Sequence, residues 1–390
     1  MPILDSPGSD QSIFLYCFLA TLLISLILVI FVKKLSFLMN KFYFTLLLFS
    51  LIFNASAQDS TKVRKLKVLP VPAFGFAPET RYYVGAVCLF TINPFQDTLT
   101  RTSTAKVEFN YTWNRQIILE GELDYFFKEE KWFLGSNIHY SKYPDQYFGI
   151  GARTLDSDGV LFQSNRLKLD VELSKQVLPK TFLGGGIRYF NYSNIGTLSD
   201  TVALHDELTN FSDIEIKADF FKDDRDRILT PTTGSFCKLT VGVNYANTVY
   251  LHLLADARKY YSFGKKKNNV VAARFLQTSI IGDAPFYDLA ILGGDRIARG
   301  YFYGRFRDQH LSTLQAEYRS PYLWRFGLAA FGGTSLVYGT GNFGSESVKP
   351  NVGVGLRFLV DKNDRTNLRF DYAIGRDGQS GFYVSFGESF

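Results

Sequence analysis

Cysteine is scarce in this chain of 390 residues: Cys17, Cys88 and Cys237 are all it has. Their spacing makes neither a zinc pattern nor an obvious disulfide pair. Cys88 and Cys237 fall on apolar faces of alternating segments, where a cysteine behaves as a small hydrophobe. Charge of one sign is also lacking: 43 basic and 37 acidic residues are interspersed, for a net charge of only +6. With no basic stripe and no RNA-binding signature, the composition argues against a nucleic-acid partner. There is no G-x-S-x-G elbow, no H-E-x-x-H helix and no phosphate-binding loop, so no enzyme is expected. No metal site and no cofactor is expected either.

What is abundant points elsewhere. Apolar content is ordinary at 46%, which excludes a bundle of membrane helices, yet aromatics reach 16%. Tyrosine, phenylalanine and glycine recur through many short alternating segments, as they do in an outer-membrane barrel with aromatic girdles.

Two export-like segments open the chain. Residues Ile13–Val32 form an unbroken apolar run of transmembrane length, closed by Lys33 and Lys34. From Met39 a second segment begins: Asn40 and Lys41, an apolar core Phe42–Phe53, then Ala55-Ser56-Ala57 before Gln58. That is a secretory signal peptide with an A-x-A cleavage site. A retained first helix would hold the protein in the inner membrane. Residues 1–38 therefore read as an upstream extension, or else as a transmembrane segment, and residues 39–57 as the signal peptide. Residues 58–79 follow as a short periplasmic lead-in, too short for a folded domain, and residues 80–390 as the barrel.

Strand patterns then succeed one another. In Arg166–Ser174, Leu167, Leu169, Val171 and Leu173 alternate with Arg166, Lys168, Asp170 and Glu172, which places them on opposite faces. Ile214, Ile216 and Phe220 oppose Glu215, Lys217 and Asp219; Leu368, Phe370, Tyr372 and Ile374 oppose Asn367, Arg369 and Asp371. A soluble sandwich alternates too, but these segments are about ten residues long, with aromatic-rich apolar faces and charges of both signs opposite. In a bilayer such strands must close into a ring to satisfy their backbones. The expectation is an all-β, 16-stranded antiparallel transmembrane barrel. Its strands are read at 80–92, 103–113, 115–127, 131–141, 146–154, 162–175, 180–193, 209–221, 235–245, 248–262, 269–281, 311–320, 325–338, 351–360, 366–375 and 380–390.

With a periplasmic start, odd strands run outward. Trp113-Asn114-Arg115, Val177–Lys180 and Asp223–Gly234 become periplasmic turns, whereas Asp156–Gly159, Asn194–Glu207 and Gly293–Tyr301 become outer loops. The final segment ends in a terminal aromatic, with Phe382, Val384, Phe386 and Phe390 as its apolar row. Outer-membrane barrels present such a signal to the assembly machinery. His139 and His252 have lumen-facing parity, as ordinary polar groups, and the Asp223–Asp226 cluster reads as a hydrogen-bonded turn.

Four motifs carry a family resemblance. Phe286-Tyr287, Gly293-Gly294 and Arg299-Gly300-Tyr301 resemble the lock loop of BamA/TamA-type proteins, the bacterial surface antigen family. Asp223-Asp224-Arg225-Asp226-Arg227 with Pro231-Thr232-Thr233-Gly234 is similar to that family's turn before the ninth strand. Ala316-Glu317-Tyr318-Arg319-Ser320-Pro321 resembles its twelfth strand, and Phe390 its terminal aromatic. The resemblance implies a loop folded back into the lumen, with Arg299 paired to Glu317, which also has lumen-facing parity. Two departures stand out. Gly333 and Ser335 occupy the strand where the family carries a second acidic partner, and no POTRA domains precede the barrel. The chain thus resembles the short branch of the superfamily.

The function so implied is assistance in inserting or translocating proteins, or lipids, at the outer membrane. A gated or plugged pore for small solutes is the alternative. Expected partners are outer-membrane lipid, the assembly machinery for the barrel's own insertion, and client outer-membrane proteins or a separate periplasmic protein.

Overall fold

The structure, a computed structural model, describes residues 66–77, 81–95, 100–113, 115–155, 159–197, 207–246, 248–265, 268–341, 343–360 and 365–390. The upstream extension, the signal peptide, Cys17 and the outer-loop residue His205 lie outside the described residues. All that is described belongs to one compact unit, Val63–Phe390.

Eleven strands come first: β1 (Leu66–Ala77), β2 (Arg81–Ile92), β3 (Ser103–Thr112), β4 (Ile117–Phe126), β5 (Trp132–Tyr147), β6 (Val160–Leu178), β7 (Thr181–Thr197), β8 (Phe211–Asp223), β9 (Gly234–Tyr245), β10 (Val249–Phe263) and β11 (Asn269–Ile281). A small hairpin, β12 (Ala290–Leu292) with β13 (Phe306–Asp308), interrupts the meander. The wall resumes with β14 (His310–Arg319), β15 (Phe326–Tyr338), β16 (Val348–Leu359), β17 (Asn367–Gly375) and β18 (Ser380–Phe386). Apart from the hairpin, the strands form one 16-stranded sheet in chain order, antiparallel throughout. No described helix is long and apolar enough to cross a membrane; a barrel crosses with strands.

The distribution of side chains is inverted relative to a soluble protein. Ile187, Ile216, Val241, Leu314, Leu328, Val354 and Tyr372 are exposed on the outer face. Arg188, Glu215, Asp219, Arg274, Glu317, Arg357, Arg369 and Asp371 are buried inside. Water would not tolerate so continuous an apolar exterior, since soluble monomers rarely expose patches beyond a few hundred Å². Lipid would favour it.

Four details differ from the reading of the sequence. The supposed lead-in contains β1, which pairs with β2 over its full length, from Leu66 opposite Ile92 to Ala77 opposite Arg81. Conversely, residues 146–154 are not a strand of their own. β5 continues to Tyr147, and beyond it Gly149 and Gly151 take φ of +89° and +108°, which break an extended run. The count stays at sixteen because one strand is gained and one lost. The gain reverses the direction of the strands read at 80–92, 103–113, 115–127 and 131–141, which are β2 to β5, so the Trp113–Arg115 turn shares the end that carries the Gly293–Tyr301 loop. We call that the loop end and its opposite, holding Pro179-Lys180 and residues 224–233, the turn end. Last, the final strand stops at Phe386.

Candidate functional site: the inward loop and the seam

The connection from β11 to β14 begins and ends at the loop end but folds into the lumen. Its turn depends on glycine. Gly293 has φ +115°, and a Cβ there would lie 2.1 Å from the Phe302 carbonyl oxygen. Gly294 has φ +87° against the Tyr303 ring. Leu292, Ala298, Tyr301 and Phe306 pack on Leu311 and Val337 of the wall. Gly300, at φ +107°, lies so close to β17 that a Cβ would sit 2.8 Å from the Ile374 carbonyl carbon. Its N–H donates to the Tyr383 hydroxyl of β18 at 3.0 Å. The Tyr301 ring lies over Gly375, and its hydroxyl donates to the Pro350 carbonyl at 2.7 Å while accepting from Arg376 N–H at 2.8 Å.

Between these anchors sits Arg299. Its Nη2 donates to Glu317 Oε2 at 2.6 Å, and its Nη1 donates to the Asp371 carboxylate. The guanidinium carbon is 3.3 Å from the centroid of the Phe331 ring. The side chain is 1% exposed and both carboxylates are fully buried. Arg319 and Arg357 also reach Glu317, at 2.7 and 3.4 Å, while Arg357 and Arg369 reach Asp371, at 2.6 and 2.9 Å. Arg357 continues to Glu388 at 2.8 Å and Arg369 to Asp295 of the loop at 2.9 Å. Four arginines thus face four carboxylates, the balance that buried charge requires. β15 supplies no acid: Gly333 takes no part, and Ser335 accepts from Thr313 at 3.0 Å. The second carboxylate comes from β17. Asp371 had the right parity in the sequence, but nothing local ties it to Arg299.

The loop also reaches the opposite wall. Asp288 pairs with Arg188 at 2.5 Å and accepts from the Tyr250 hydroxyl at 3.0 Å. Tyr287 stacks on Tyr192 with ring centroids 3.9 Å apart, and Phe286 meets Tyr147 edge-on at 4.5 Å. Arg296 reaches Glu122 of β4 at 3.5 Å. The loop therefore spans the lumen as a plug. His139 meets Glu120 and Ser141, and His252 meets Glu215 at 2.9 Å, as satisfied polar groups of the wall.

The ring is not zipped shut. β1 and β18 face one another as the two ends of the sheet, with no ladder between them among the described residues. Pro70 and Pro72 lie in β1, yet its register with β2 runs past both unbroken. Proline donates no N–H and belongs on edge strands, and residues two apart point their backbone groups the same way. These prolines therefore thin the donors on the β18 side. Across the seam, the Tyr83 hydroxyl donates to the Val384 carbonyl at 2.9 Å.

Beyond Phe386 the chain turns inward at Gly387, φ +75°. Glu388 N–H donates to Leu229 O at 2.9 Å, and Arg319 Nη2 donates to Phe390 O at 2.9 Å. Phe390 packs with Tyr260 and Ala272 inside the barrel. The apolar row is thus divided: Phe382 is exposed on the outer face, Val384 and Phe386 share its parity at half-burial, and Phe390 is not in line with them.

At the turn end the acidic cluster is spoken for. Asp226 accepts from Thr232 N–H and hydroxyl, both at 2.7 Å, and from Thr233 N–H at 3.1 Å. Asp224 takes the Ser235 hydroxyl at 2.7 Å, and Asp223 takes Arg225 and Arg101 at 2.8 and 3.1 Å. Burial pushes the Asp226 carboxyl up, but the Thr232 and Thr233 hydrogen bonds, with Arg227 alongside, hold it below its ordinary value. No metal-binding cluster occurs among the described residues.

An antiparallel ring of sixteen strands, apolar outside, charged inside and plugged by its own loop, defines an outer-membrane β-barrel. The chain belongs to the Omp85 superfamily, whose domain model matches residues 80–390. The structure is similar to BamA from Haemophilus ducreyi lacking POTRA domains 1–3, at TM-score 0.54 and 13% identity, covering 84% of this chain and 70% of that one. It is also similar to CdiB from Acinetobacter baumannii, at TM-score 0.55 and 12% identity, covering 83% of this chain and 60% of that one. At such identities these likenesses concern the fold. No curated protein sequence matches the chain.

Proposed function

We propose that this barrel assists the insertion or translocation of proteins, or of lipids, at the outer membrane, with the β1/β18 seam as the working edge. The observation that carries the reading is the unzipped seam. An edge without a ladder is a template on which another strand can pair, and in hydrocarbon it is costly unless something uses it. The loop braces the C-terminal side of that seam, through Arg299 to β14 and β17 and through Gly300 to β18. In this role Arg299, Glu317 and Asp371 are a latch. The loop end faces outward and the turn end faces the periplasm, where client proteins or a separate periplasmic protein would dock.

Deleting the gene and comparing purified outer membranes by quantitative proteomics and lipid analysis tests the reading. Selective loss of particular barrels or surface proteins, restored by wild type but not by Arg299→Ala, is expected. An unchanged inventory would favour the second reading, a plugged pore for small solutes, which the lumen-spanning loop supports. For such a pore, solute uptake would fall on deletion and conductance would rise in Arg299→Ala.

A further inference from the structure

The seam is open in a way that the absence of a ladder does not by itself imply. A cavity of about 330 Å³ near the turn end is lined by both faces of the two edge strands. Pro72 and Phe74 of β1 and Val384 and Phe386 of β18 have outward parity, whereas Lys67, Leu69, Ala73 and Ser385 have lumen parity. A space bounded by both faces of a wall passes through that wall. Its mouth therefore opens on hydrocarbon and its depth lies in the lumen.

The two parts differ in chemistry. The mouth is aliphatic and aromatic. The depth carries six basic side chains, among them Lys106, Lys238 and Arg296, and six acidic ones, among them Glu108, Glu122 and Glu172. Beneath them lies an aromatic floor that includes Phe126, Phe133 and Phe221. A balanced set of charges offers no field to a net anion but matches a group carrying both signs at once. Arg296 is 59% exposed and holds Glu122 only at 3.5 Å, so it can turn to a phosphate. A volume of this size lies at the small end of ligand pockets, roughly 300–1,000 Å³. It admits a headgroup and leaves the alkyl chains outside.

We propose that the β1/β18 cavity binds a zwitterionic phospholipid, its headgroup among the lumen charges and its acyl chains passing between Pro72, Phe74, Val384 and Phe386 into the bilayer. The inference rests on reading the seam as the working edge. It adds a ligand that the seam holds when no client is present.

The full-length protein in nanodiscs containing phosphatidylethanolamine or phosphatidylglycerol, each with a photoreactive group near the glycerol end of one acyl chain, tests this. Photolabelling of lumen-facing positions in β1–β4 should be about tenfold stronger with the ethanolamine lipid, an order of magnitude in affinity. Ala73→Trp, which fills the cavity, should abolish that preference, while Val241→Trp on the outer wall should leave it intact. Heat-modifiable gel mobility reports whether each variant has folded, and Ser385→Trp replaces Ala73→Trp should the latter fail. Labels confined to outward-facing residues all round the barrel would show annular lipid only and overturn the proposal. Equal labelling by the two lipids, or labelling insensitive to a folded filling variant, would also overturn it. Because outer-membrane inventory is read separately, failed labelling with an intact inventory phenotype sinks the lipid site and not the seam.

Discussion

At Arg299 the energetics follow from who remains when it leaves. Glu317 and Asp371 would stay fully buried, but each keeps other arginines, Arg319 and Arg357 for one, Arg357 and Arg369 for the other. Breaking a buried pair typically costs 3–5 kcal/mol, and these surviving partners place Arg299→Ala near the low end, about 3 kcal/mol. Urea unfolding of the detergent-solubilised barrel measures it. Arg299→Lys should recover little, because one ammonium cannot span two carboxylates as a guanidinium does. Asp226 gives a pH-dependent counterpart outside the membrane. Its carboxyl is held below the ordinary 3.8, so its contribution is fully present above that value and is lost as pH falls through the lowered one. Asp226→Asn should therefore lower the melting temperature at pH 7 and flatten the acid limb of the stability profile. A variant whose acid limb matches the wild type would show that the turn contributes nothing through this charge.

Among the elements, the loop and the edge strand are each set by residues with special backbones. Gly300→Ala forces a side chain into a left-handed conformation, costing about 1–3 kcal/mol, against β17 backbone atoms that cannot yield. The loop should undock, with conductance rising and protease cutting near Arg299. At the seam, replacing Pro70 and Pro72 together by valine supplies two new N–H donors to the β18 side. Amide hydrogen exchange in β18 should slow, and complementation of the deletion strain should weaken; unchanged exchange would mean that the prolines do not set the seam. These strands also mark the limits of what the chain discloses. Arg166–Ser174 was legible because its two faces differ in polarity at every step. β1, Leu-Lys-Val-Leu-Pro-Val-Pro-Ala-Phe-Gly-Phe-Ala, was not, because apart from Lys67 both of its faces are apolar and its prolines read as a break. Asp371 was visible as a lumen residue, but its partner lies 72 positions away, and only the inward fold of the loop brings them together. The inward turn at Gly387 left no periodic trace at all, since three residues cannot show a period.

For the molecule as a whole, β1 decides whether the ring exists. The family match begins at residue 80, so β1 stands outside the region by which the chain is recognised. Yet its pairing with β2 is unbroken over the whole of β1, from Leu66 to Ala77. Remove those residues, and β2 becomes an edge in hydrocarbon, facing β18 across a gap one strand wide. Unlike β1, β2 contains no proline, so every residue on its new edge would present an unpaired donor. Each such buried group costs of order 1–3 kcal/mol, so the donors on that edge, carried by every second residue, together cost about as much as the 5–15 kcal/mol by which a folded domain is ordinarily stable. A chain lacking residues 66–77 should therefore show no heat-modifiable band when refolded from urea into detergent, whereas Pro70 and Pro72 replaced by valine should still fold. If the shortened chain folds with full heat-modifiability, β1 is dispensable to the barrel. The seam would then lie between β2 and β18, and both the prolines and the cavity they border would lose the role given to them here.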